Sequence, residues 1–153
     1  MLGKTIADLE TGDVFNPIRY TLTPFMCAVY AHAVEDTSEW YYSAVPPFNR
    51  QVRPPTMVHS DKMRLLEANC LEERRISNQH TKDARIHYEY NAVHHSPAYA
   101  GEEIVVSGRI VERYQKRGRD YLHYELRVET ADGRLITTYN DRTLLAYNPE
   151  GKN

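Results

Sequence analysis

The sequence predicts an α+β domain in which a curved antiparallel sheet wraps one central helix. Three observations predict it. The stretch Pro54-Pro55-Thr56-Met57-Val58-His59 runs on into Ser60–Cys70, where Met63, Leu66 and Cys70 recur at helical spacing. From Arg85 to Tyr147 the chain alternates with period two. Two turn signals, Lys116-Arg117-Gly118-Arg119-Asp120 and Ala131-Asp132-Gly133-Arg134, divide the later part of that alternation into hairpins.

The central helix is expected from about Thr56 to Leu71. Pro54 and Pro55 lack N–H groups and force the residues before them into extended shapes, so they precede a helix rather than sit inside it. Thr56 is placed to cap the first free amides. His59 lies on the same stripe as Met63, and either faces a cleft or occupies a polar niche. Asp61, Lys62 and Arg64 make this helix more polar than one wrapped in a sheet is expected to be. Free amides at a helix N-terminus can hold a carbonyl oxygen or a phosphate. On these residues alone, an ordinary buried helix with a good cap is the favoured reading.

Upstream, Glu10–Asp13 reads as a turn. Val14–Leu22 reads as a strand, with Pro17 marking an edge or a bulge. Thr23-Pro24 is a helix start, with Thr as cap and Pro at the first helical position. Phe25, Val29 and Ala33 form the stripe of that helix, beside Met26 and Tyr30, and it should end near Glu35-Asp36. Two acids there oppose the helix dipole, a local cost that either marks a functional position or is relieved by solvent. Asp36–Arg53 is a long loop holding the single Trp. Trp40, Tyr41, Tyr42 and Phe48 either wall an apolar cleft or interface, or cover the core.

Downstream, Glu72–Lys82 reads as a polar loop. Arg85, His87, Glu89 and Asn91 are expected on one strand face, with Ile86, Tyr88 and Tyr90 on the other. His94 and His95, being adjacent, should face opposite sides. Strands follow over Ile104–Tyr114, Tyr121–Thr130 and Leu135–Tyr147, giving a four-stranded meander.

A length of 153 residues suits one domain, taken as 1–153 with its core at about 12–147 and a tail over 148–153. A net charge of −2 gives no reason to expect nucleic acid or an acidic membrane as partner. No apolar run approaches the roughly 20 residues that cross a bilayer. Met1–Asp8 lacks the apolar core of a secretion signal, so a cytoplasmic location is expected. Cys27 and Cys70 each fall on a predicted helix, where buried free thiols are favoured over a disulfide. No Cys, His or Asp grouping has metal-ligand spacing, so neither a metal nor a cofactor is expected.

Several segments resemble one family. Tyr30-Ala31-His32-Ala33-Val34-Glu35-Asp36, Tyr41 five residues later, and Arg53-Pro54-Pro55-Thr56-Met57 resemble the hot-dog domains of MaoC-like dehydratases. His94-His95-Ser96-Pro97-Ala98-Tyr99-Ala100-Gly101-Glu102 is similar to that family's strand-ending stretch. Val106–Val111 and Arg117–Leu122 are similar to its hairpin. The likeness runs from about Gly12 to Tyr147. It rests on the order and spacing of the segments rather than on any one motif.

The resemblance implies a single hot-dog fold and a paired assembly, homodimer or heterodimer, that binds an acyl thioester of coenzyme A or acyl carrier protein. Active members hydrate 2-enoyl thioesters or dehydrate 3-hydroxyacyl thioesters with an Asp and a His acting as acid and base. They polarise the thioester oxygen with amides at the central helix N-terminus. Carried over residue by residue, Asp36 falls on the family Asp and Tyr41 on the family His, while the Asn-Pro between them is absent. Phenols ordinarily ionise near pH ~10 and are poor bases at neutrality. A Tyr there, together with Pro-Pro-Thr, resembles the domain type that binds the pantetheine arm while a sister domain supplies the acid–base pair.

The candidate catalytic residues are therefore Asp36, Tyr41 and His59. The candidate substrate contacts are Trp40, Pro55, Thr56, Met57 and Arg117, the last on a basic hairpin tip that either meets coenzyme A phosphates or is simply solvated. The functions in competition are a hydratase or dehydratase, a non-catalytic acyl-thioester-binding subunit, and, third, a thioesterase.

Overall fold

The computed structural model describes residues 2–71 and 84–147, so the loop expected over Glu72–Lys82 and the tail lie outside the described residues. In chain order come β1 (Ile18–Thr21), α1 (Pro24–Ala33), two 3-10 turns (Glu39–Tyr41 and Pro55–Met57), α2 (Val58–Asn69), β2 (Ala84–His94), β3 (Glu103–Lys116), β4 (Arg119–Thr130) and β5 (Leu135–Tyr147). The strands form one antiparallel sheet in the order β1-β3-β4-β5-β2. With α2 packed on that sheet, this is the expected α+β hot-dog fold. The expected four-strand meander is corrected. Only β3, β4 and β5 follow one another in the sheet, and β2 lies at the far edge against β5.

The hairpin turns form where their residues require. Arg117 and Gly118 connect β3 to β4 with φ of 53° and 70°, the paired positive angles whose twist matches the flanking strands. Gly133 turns the next hairpin at φ 89°. Leu122, Tyr124, Leu126 and Val128 of β4 are buried together, as their alternation requires.

α1 starts as expected, with Thr23 Oγ1 accepting from the Met26 N–H at 3.2 Å. It ends at Ala33 rather than at Glu35-Asp36. Glu35 takes φ 58°, the Glu35 N–H donates to His32 O, and the Asp36 N–H donates to Ala31 O at 2.9 Å, which is a Schellman closure without its usual glycine. The expected stripe points outward. Phe25 is 75 % exposed and Val29 is exposed, while Cys27 and Ala31 face the core. Both cysteines are buried and free, and burial pushes the Cys27 thiol up to about 11.

α2 presents Val58, Asp61, Lys62, Leu65, Leu66 and Asn69 to the interior. Met63, placed on the expected stripe, is 61 % exposed. The helix is turned because both of its inward charges are paired. Asp61 meets Arg53 of the entering arm, and Lys62 meets Asp141 of β5. Nor is Thr56 the cap. It lies inside the 3-10 turn, where the Met57 N–H donates to Pro54 O at 3.1 Å and the Val58 N–H donates to Pro55 O. Gly108 of β3 lets the helix come close: a Cβ there would meet Glu125 O at 2.8 Å and Leu65 Cδ2 at 3.2 Å.

Candidate active site

A cleft of about 500 Å³ opens beside the start of α2. Trp40, Tyr41, Phe48 and Pro55 form its apolar wall, and His94, His95 and Arg53 add polar groups. Trp40 packs edge-on against Tyr41 (6.0 Å between ring centroids) and against Phe48 (6.3 Å), an arrangement aromatic pairs favour.

Backbone bonds fix this wall. The Val52 N–H donates to Trp40 O at 2.8 Å, and the Arg53 N–H to Ala98 O at 2.9 Å. Gln51 Nε2 donates to Tyr41 O at 2.7 Å. The long loop therefore carries a 3-10 turn and is pinned at its far end.

Beneath the cleft, Arg53 is 3 % exposed and pairs with the fully buried Asp61. Tyr20 Oη donates to Asp61 Oδ1 at 2.6 Å and accepts from Arg53 Nη1 at 3.0 Å. Burial, and then the Asp61 charge, push the Tyr20 hydroxyl above its ordinary range, so it remains a donor. Each member of this triad satisfies the others, as buried charges require.

The predicted residues divide among several places. Trp40, Tyr41 and Pro55 share the cleft wall. Asp36 is not part of that wall. Its carboxylate accepts from the Ser38 N–H at 3.0 Å, and the Ser38 side chain and backbone together hold it below the usual carboxylate range. Thr56 is exposed, and its carbonyl accepts from Tyr30 Oη at 2.9 Å. Met57 is buried in the core. Arg117 sits at the exposed hairpin tip.

His94 and His95, expected on opposite strand faces, both line the cleft, because β2 ends at His94 and the chain turns there. His94 Nδ1 lies 3.1 Å from Thr137 Oγ1. Burial, then Arg53 and His95, lower the His94 pKa.

His59 faces a second cleft, of about 730 Å³, between α2 and the β2 edge. There it stacks edge-on with His87, Tyr90 and Tyr139. Strict alternation would separate His87 from Tyr90. A bulge between His87 and Glu89 brings both to one face, correcting the expected pattern. Asp141 of β5, at the centre of this cluster, carried no signal in the sequence beyond its place in a strand. Arg53, too, was legible only as part of an arm.

A family model described as FAS1-like, dehydratase domain region, matches residues 10–139. No curated protein matches the chain. Among solved structures, the MaoC-like dehydratase from Rhodospirillum rubrum is 15 % identical at a TM-score of 0.70, over 96 % of this chain and 99 % of that one. The C-terminally truncated HadBC (3R-hydroxyacyl-ACP dehydratase) complex from Mycobacterium tuberculosis is 18 % identical at a TM-score of 0.70, over 88 % and 96 %. The (R)-hydratase from A. caviae involved in PHA biosynthesis is 16 % identical at a TM-score of 0.65, over 90 % and 98 %. Identities this low show a shared fold and nothing finer. The family match spans most of the chain, and on it the chain belongs to the FAS1-like dehydratase domain region family.

Proposed function

We propose that this chain is the acyl-thioester-binding subunit of a hydratase or dehydratase acting on 2-enoyl or 3-hydroxyacyl thioesters, with a second hot-dog chain supplying the acid–base pair. One observation carries the reading. The aromatic cleft beside α2 is lined by Tyr41 but not by Asp36, which supports a reading in which the two positions that resemble the family's acid–base pair do not act together here. A hydro-lyase needs a base and an acid within hydrogen-bond reach of the same substrate. Tyr41 ends a wall of Trp40 and Phe48 that suits an acyl or pantetheine chain. Asp36 accepts from the Ser38 N–H through Oδ1, and Ser38 holds its carboxyl below the usual range, so it is ionised at neutral pH.

Trp40 is the only tryptophan of the chain, so its fluorescence reports on this cleft. Titration with a short and a long 2-enoyl-CoA should change that fluorescence saturably. Trp40→Phe should abolish the signal, and Phe48→Ala should weaken binding. No saturable change with either chain length contradicts the assignment of the cleft. Release of free thiol during the titration would identify a thioesterase instead.

A further inference from the structure

The second cleft carries an arrangement that acyl binding does not use. Asp141 is fully buried, and both of its oxygens are occupied. Oδ1 accepts from Lys62 Nζ at 2.5 Å and Thr143 Oγ1 at 2.7 Å. Oδ2 accepts from Tyr139 Oη at 2.8 Å and lies 2.6 Å from His87 Nε2. An ionised carboxylate has about four lone-pair sites; three here accept hydrogen bonds, and His87 Nε2 lies against Oδ2.

The bonds fix two tautomers. His87 Nε2 lies 2.6 Å from Asp141 Oδ2 and 3.4 Å from Tyr139 Oη, whose own proton goes to Asp141, so Nε2 carries the ring proton and Nδ1 is the other, outward nitrogen. Tyr139 spends its proton on Asp141 and so accepts from His59 Nδ1 at 2.9 Å, which leaves Nε2 as the outward nitrogen of His59. Neither outward nitrogen has a hydrogen-bond partner among the described residues. The two rings lie 5.2 Å apart in one cleft. A carboxylate behind an imidazole orients it and stabilises its protonated form.

Among the described residues, the charged and titratable groups facing the rings are these. α2 contributes Lys62, β2 contributes Arg85, Tyr88, Glu89 and Tyr90, β4 contributes Tyr124, and β5 contributes Tyr139 and Asp141, with Arg142 beside Glu89. Asp141 is spent on Lys62 and His87, and Glu89 is paired with Arg142. The Tyr124 hydroxyl is buried and has no hydrogen-bond partner. No group of three metal-ligating side chains is present among the described residues.

We propose that the cleft between α2 and β2 is an oxyanion-binding site, taking a phosphate ester or carboxylate head group between His59 and His87 with uptake of a proton onto the imidazoles. A bound anion stabilises the imidazolium forms, so binding and protonation are linked. Burial lowers the His59 pKa, with His87 adding to the effect and Asp141 opposing it; the anion supplies the charge that reverses it. This proposal does not rest on the acyl-binding reading.

Sulfate is the first probe, because it stays a dianion across the pH range used, and acetate is the second. Calorimetric titration of the full chain should show sulfate or acetate binding that weakens by about tenfold from pH 7 to pH 8, the mark of one proton taken up. Stronger sulfate binding identifies a phosphate-type head group, and stronger acetate binding a carboxylate. The imidazole NMR signals of His59 and His87 in the unaltered protein should shift on titration. His59→Gln with His87→Gln should lose the binding. Four results overturn the proposal: neither anion binding at pH 6; an effect equalled by chloride at matched ionic strength; binding unchanged in the double variant; or stabilisation by zinc ions with none by either anion.

Discussion

Lys62 of α2 and Asp141 of β5 meet inside the domain, Nζ to Oδ1 at 2.5 Å, and this pair turns a polar helix face toward the sheet. Burial alone would raise the Asp141 pKa, but the Lys62 ammonium and the bonds from Thr143 and Tyr139 hold it below the usual carboxylate range. Removing one partner leaves a buried charge uncompensated, which costs about 3–5 kcal/mol. Lys62→Ala should therefore lower the urea midpoint strongly. Lys62→Met combined with Asp141→Leu should recover part of the loss, because an apolar pair removes the uncompensated charge while the Tyr139 and Thr143 hydroxyls lose their acceptor. A double variant no more stable than Lys62→Ala contradicts this account of the helix face.

Gly108 sets how closely α2 approaches β3. A methyl group there meets Glu125 O at 2.8 Å and Leu65 Cδ2 at 3.2 Å, and backbone cannot yield as a flexible side chain does. Gly108→Ala should cost about 1–3 kcal/mol by overpacking, read as a lower denaturant midpoint at unchanged slope. A neutral substitution means the helix–sheet spacing is looser than described.

Much of this architecture was legible in the sequence, because its signals are local. Thr23-Pro24 caps α1 with its own side chain and fixed φ, and Gly118 and Gly133 turn hairpins by the angles only glycine takes freely. What escaped depends on distant partners. The inward turn of Asp61 and Lys62 needs Arg53 and Asp141, the latter 79 residues away, and helical periodicity counts both as solvent-facing. The place of β2 beside β5 follows from sheet order, which alternation does not encode. Of the candidate site, the Trp40–Tyr41 wall was readable as an aromatic cluster. The separation of His59 from that wall was not, since it follows from the rotation of α2.

The two ends of α1 give opposite mutational signs. Thr23→Ala removes the acceptor for the Met26 N–H and should cost about 1 kcal/mol. Glu35 pays for a left-handed backbone at φ 58°, so Glu35→Gly should be neutral or stabilise by up to about 1 kcal/mol. Thermal midpoints of both variants check the pair. A strongly destabilised Glu35→Gly shows that the Glu35 side chain makes a contact worth more than its backbone strain.

Acid should weaken the fold in a defined window. Burial, assisted by neighbouring positive or histidine groups, lowers the pKa of both His59 and His94. The unfolded chain then binds more protons than the folded one below about pH 6.5, where histidine normally titrates. Stability is complete above that pH and is lost as pH falls toward the lowered folded values. In chloride buffer, the thermal midpoint should decline between pH 7 and pH 5, and less steeply in His59→Gln with His94→Gln. An identical decline in both proteins contradicts this origin.

The most direct test of the central reading is hydration of a short and a long 2-enoyl-CoA by the purified chain, followed as loss of enoyl absorbance with Trp40 fluorescence recorded in parallel. The account predicts saturable binding without turnover, and turnover only when a hot-dog partner carrying the Asp and His pair is added. Turnover by the chain alone, lost in Asp36→Asn, contradicts it and makes this protein a hydratase in its own right.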